Sequence, residues 1–181
     1  MSSPIGGMKN VKIFVLYLLE NINYPLDFPT INDIVMQTDY VMYLDFAEGF
    51  FQMVDMELIE TIDFQGEQYY LITEKGRCVA RELKSDILST VLDQSLTMAL
   101  RYLDFKKRQV VTKCRIEPTD DGRYNVICSF TEKEKVIFEQ LLTVDTLDRA
   151  ERMKENFYQR PEAIYRGVTA LLAGNVNYLF N

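Results

Sequence analysis

Sulfur is the first chemistry this chain could offer. Cys114 and Cys128 lie in two strand-like runs, "QVVTKCRIEP" and "RYNVICSFTE", on either side of the turn Thr119-Asp120-Asp121-Gly122. If the turn sets them in register they face each other, and a redox switch is conceivable; two buried, inert cysteines are the plainer alternative. The third cysteine, Cys78, is far away, and the odd number with no CxxC pair suits reduced thiols in a cytosol. There is no histidine, which removes the usual general base, the usual zinc ligand and histidine-activated nucleophiles. We therefore expect no catalytic residues, no metal and no cofactor.

Charge is the second chemistry. The net charge of −7 is unevenly spread. Residues 1–74 hold two cations, Lys9 and Lys12, against twelve acids, while 75–181 hold 18 cations against 15 acids. Phosphate binding needs clustered positive charge, so the first half has the wrong sign for nucleic acid. The stretch "DYVMYLDFAEGFFQMVDMELIE" (39–60) has no cation at all. Within it, Asp45, Glu48, Gln52 and Asp55 have helical spacing and are expected to share an exposed face. That face suits a basic protein partner, or is ordinary solvated surface; DNA remains possible, but not through this helix face. If nucleic acid binds, the expected contacts are Arg77, Arg81 and Lys84 on one helix, and Lys106, Lys107 and Arg108 at the end of another. A solvated face and a favourable helix-end charge explain the same cations.

The elements that must position these groups follow from periodicity. Val11, Phe14, Val15, Leu18 and Leu19 make one helical stripe. "INYPLDFP" reads as a loop, and Thr30 with Asp33 as the capping-box start of a second helix. A third helix is expected from Asp45, capped by Asp45 and Glu48, burying Ala47, Phe50, Phe51, Val54 and Leu58. Gly49 inside it either leaves room for a close helix neighbour or is an ordinary tolerated glycine. "ELIETIDF" and "EQYYLIT" form a hairpin about Gln65-Gly66, and Thr73 caps the helix "EKGRCVARELKSD". A long amphipathic helix over 85–105 carries Leu88, Val91, Leu92, Ser95, Ala99, Tyr102 and Leu103 on one face, widened by Leu96 and Leu100; paired with its symmetry mate it would make a homodimer, and packing on the chain's own β unit is the competing explanation. Three strands and two helices, near 146–158 and 161–173, close the chain.

The expected fold is α+β: an N-terminal winged helix-turn-helix over 9–84, a long connecting helix over 85–108, and a three-stranded antiparallel sheet with two helices over 109–175. The pieces "NVKIFVLYLLENI", "YYLITEKGR" and "RAERMKENFYQRPEAIYRGVTALL" resemble an uncharacterised bacterial family, over about residues 9–173. Its members carry an N-terminal winged helix and are usually described as transcriptional regulators. The resemblance implies a non-enzymatic regulator-like protein; the acidic third helix argues instead for a protein-interaction module on the same scaffold. No run of about 18 apolar residues is present, and the start MSSPIGGMKN lacks the layout of a secretory signal, so the expected location is the cytoplasm.

Overall fold

The computed structural model describes residues 3–174. The expected domain end at 175 lies just outside them. The chain divides into two compact units at the Tyr102/Leu103 step, which falls inside a helix.

The first unit is built around α1 (Met8–Ile22). Its predicted stripe is buried, and so are Ile13, Leu16 and Ile22, so the helix is apolar nearly all round and runs through the core. "INYPLDFP" is not wholly loop: Leu26–Asp27 form a short strand, β1. Asp27 also caps α2 (Phe28–Met36), its carboxylate accepting from Thr30 N–H at 2.7 Å. The helix therefore starts two residues before Thr30, with Pro29 in its first turn, where a missing N–H costs nothing.

Next come α3 (Tyr43–Asp55), β2 (Ile59–Phe64), β3 (Glu67–Ile72) and α4 (Glu74–Leu83). Gln65 and Gly66 both have positive φ, 55° and 83°, as a two-residue hairpin of matching twist requires. The strand order is β1-β3-β2, all antiparallel. Thr73 caps α4 as expected, accepting from Gly76 N–H at 3.1 Å. A 3-10 turn over Lys84–Asp86 breaks the chain before α5 (Ser89–Lys107). The long helix thus starts later than predicted; Leu88 precedes it and is exposed.

In the second unit β4 (Val111–Pro118), β5 (Tyr124–Glu132) and β6 (Lys135–Val144) form an antiparallel sheet in that order. α6 (Leu147–Gln159) and α7 (Pro161–Leu172) follow. Phe105, Cys114, Val126, Phe130, Val144, Ala150 and Phe157 make the core, with Phe130 stacked on Phe157 at 4.6 Å between ring centres.

Candidate interaction face on the third helix

The third helix starts at Tyr43, not Asp45. Its N-cap is Met42, which offers no side-chain cap. Asp45 lies in the first turn and reaches outward to Ser3: Ser3 N–H donates to its Oδ2 at 2.9 Å and the Ser3 hydroxyl at 2.5 Å. The same hydroxyl oxygen accepts from Met42 N–H at 2.9 Å, satisfying a donor that the helix start leaves open. These bonds from Ser3 hold the Asp45 carboxyl below its ordinary range. Ser3 is 2% exposed; nothing in its sequence neighbourhood signals that role.

The buried side of α3 is Phe46, Gly49, Phe50 and Met53; of the expected stripe Ala47, Phe50, Phe51, Val54 and Leu58, only Phe50 belongs to it. Leu58 is buried, but it lies past the helix end; Phe51 is half exposed, at 52%. With 3.6 residues per turn, the difference is a rotation of about 100°, one residue's worth. Gly49 lies at the centre of the contact that the rotation makes. A Cβ there would lie 2.9 Å from Met8 Sδ and 3.6 Å from Lys12 Cγ, so α1 crosses α3 at its one side-chain-free position.

That rotation redefines the exposed face. Leu44, Glu48, Phe51 and Asp55 fall at i, i+4, i+7 and i+11, opposite the buried row, and all four are exposed. Leu44 is 74% exposed. Gln52 flanks the row and donates to Glu48 Oε1 at 2.9 Å. Asp45 stands aside, tied to Ser3. Of the four residues expected to share the face, Glu48 and Asp55 are central, Gln52 is marginal and Asp45 is engaged elsewhere. The predicted acidic surface is therefore an alternation of acid and large apolar side chain, extended by exposed Tyr43 and Met56. Phe51 is steadied by stacking on Phe28, 5.6 Å between centres.

The far end of α3 is equally fixed. Glu57 takes a positive φ of 59°, and Leu58 N–H reaches Met53 O at 2.9 Å while Glu57 N–H reaches Val54 O at 2.9 Å, the paired bonds of a Schellman stop. Lys75 Nζ donates to Met56 O at 2.8 Å and Thr73 Oγ1 to Glu57 O at 2.8 Å.

The predicted cations are mostly engaged within the chain. Arg77 donates to Asn23 Oδ1 at 2.7 Å, and Arg81 pairs with Glu20 at 2.5 Å, so both brace the end of α1. Lys84 is exposed and opens the 3-10 turn. Lys106 and Lys107 end α5. Arg108 forms a two-pronged bond to Glu132, at 3.0 and 2.8 Å. The first three and the last three belong to different compact units.

Cys114 and Cys128 are directly opposed across β4 and β5, with sulfurs 3.2 Å apart. Among the described residues there is no cluster of three or more side chains able to hold a metal, and no helix long and apolar enough to cross a membrane.

The family described as a domain of unknown function, DUF4364, matches residues 11–172. The chain belongs to the DUF4364 family. The match spans all three sequence pieces noted above apart from the first residue, Asn10, of "NVKIFVLYLLENI". No curated protein and no solved structure matches the chain. Within this DUF4364 chain, "YYLITEKGR" holds the Thr73 cap and Gly76, where a Cβ would lie 2.2 Å from Leu58 O. That piece is thus the packing joint between the hairpin and α4.

Proposed function

We propose that this protein is a non-enzymatic, regulator-like module on a winged-helix scaffold, and that its third helix docks a protein partner and not DNA. The winged-helix reading is supported by the order α1-β1-α2-α3-β2-β3, with β1 joining the hairpin's sheet through β3. The docking reading is carried by one observation: the exposed row Leu44, Glu48, Phe51, Asp55 alternates apolar and acidic groups and contains no cation. A phosphate backbone repels such a row, and base reading needs cations to hold its register. A partner surface with apolar centres ringed by Lys and Arg matches it in both respects. The basic-face route to DNA is disfavoured because Arg77, Arg81 and Arg108 already have carboxylate or amide partners.

A homodimer through α5 would have to use Leu100, since Leu92, Ser95, Ala99 and Leu103 are buried within the chain. The cytosol is the setting we assign, from the free thiols.

A photo-crosslinking residue at position 51, in cells, tests the docking reading. The expected result is a discrete protein adduct whose cross-linked segment is rich in Lys and Arg, lost when Glu48→Lys and Asp55→Lys are combined. Cross-linking to nucleic acid, or an adduct indifferent to the charge reversal, would contradict it.

A further inference from the structure

The hydrogen bonds of Tyr158 reveal how the two cysteines are paired. Cys114 N–H donates to Tyr158 Oη at 2.9 Å, and the Tyr158 hydroxyl donates to Cys114 O at 3.3 Å. β4 is an edge strand. A strand residue's N–H and C=O point to the same side, so both main-chain groups of Cys114 face outward, away from β5. Cys114 and Cys128 are therefore a non-hydrogen-bonded opposed pair. Such pairs have the closer spacing, Cα to Cα about 4.5 Å, inside the window of about 4.4–6.8 Å that a disulfide requires. The two sulfurs already meet at 3.2 Å.

Access comes from the other side. A cavity of about 190 Å³ lies between the sheet and the two helices α6 and α7, lined by Val126, Cys128, Gln140, Leu142, Met153 and Asn156 among others. It is open to solvent, mostly apolar, and brings a small molecule to Cys128. Cys114 sits behind it.

We propose that Cys114 and Cys128 form a reversible intrachain disulfide, made by exchange with a small organic disulfide that enters this cavity. The Cys128 sulfur displaces one thiolate from the reagent and its proton goes to that leaving group, giving a mixed disulfide. The Cys114 sulfur then attacks Cys128 Sγ, releasing the second thiolate, which takes the Cys114 proton. The two protein thiols are oxidised and the reagent is reduced to two thiols. Burial first, and then the neighbouring Cys114 sulfur, push the Cys128 thiol up to about 12, so the first step is slow and exposed Cys78 reacts ahead of it.

The test uses the full chain carrying Cys78→Ser, reduced and then incubated with 2-hydroxyethyl disulfide. The expected product is a chain lighter by a pair of hydrogens, with peptide mapping joining 114 to 128, and restored by dithiothreitol. Adding Cys114→Ser should stop the reaction at one mercaptoethyl group on Cys128; Cys114→Ala serves if the serine variant fails to fold. Free thiols at both positions after an incubation long past complete modification of Cys78 in the parent, stable adducts on both cysteines, or bridges between chains would each overturn the proposal.

Discussion

Glu162 shows how a single group sets a pH dependence. It stands in the first turn of α7, is 7% exposed, and its Oε2 has no hydrogen-bond partner. Burial raises its carboxyl above the ordinary value, against the smaller opposing pull of backbone N–H groups at the helix start. In the unfolded chain the group titrates near about 4.3. Between that value and the raised one, the folded protein holds a proton that the unfolded chain has lost. Stability from this residue is therefore greatest at low pH and falls as pH rises through the folded value. Glu162→Gln should accordingly raise the urea midpoint at neutral pH and flatten its fall as pH rises from the unfolded value to neutral. A lower midpoint at both ends of that range would show instead that the charge is needed at the helix start. Asp45 has the opposite sign: its depressed carboxyl stabilises the fold at neutral pH, and the contribution fades on acidification.

At the level of elements, two glycines distinguish a tight joint from a forgiving one. Gly76 in α4 meets a backbone carbonyl, Leu58 O, and the Ile72 side chain; neither can retreat cheaply. Gly49 in α3 meets the flexible end of Met8. Urea unfolding should find Gly76→Ala destabilising by about 1–3 kcal/mol or more. Gly49→Ala should lie between neutral and about 1 kcal/mol stabilising, because helix propensity favours Ala. Equal effects would contradict the packing described. The same contrast explains what could be read from sequence. Hairpin, cap and the strands of the second unit were legible because Gln65-Gly66, Thr73 and the alternation through Tyr124, Val126, Cys128 and Phe130 are local signals. The rotation of α3 was not, because hydropathy counts Phe51 as core and is blind to Gly49 as a contact. The role of Ser3 depends on a contact 42 residues away, beyond any local pattern. The opposition of Cys114 and Cys128 was legible as register, but its non-hydrogen-bonded character needed Tyr158.

Across the whole molecule, we propose that a winged-helix-like scaffold presents a surface that DNA repels. Twelve acids against two cations in residues 1–74 set the long-range sign, and salt does not reverse it. The exposed row on α3 sets the short-range chemistry, where Leu44 and Phe51 can each contribute about 1.5–3 kcal/mol when covered by a partner. The most direct test is a titration of labelled duplex DNA with the intact protein, followed by fluorescence anisotropy at physiological ionic strength. The prediction is no binding tighter than the weak non-specific range of about 1–100 µM, unchanged by Glu48→Ala or Phe51→Ala. Submicromolar, salt-sensitive binding that is lost with either substitution would contradict the account.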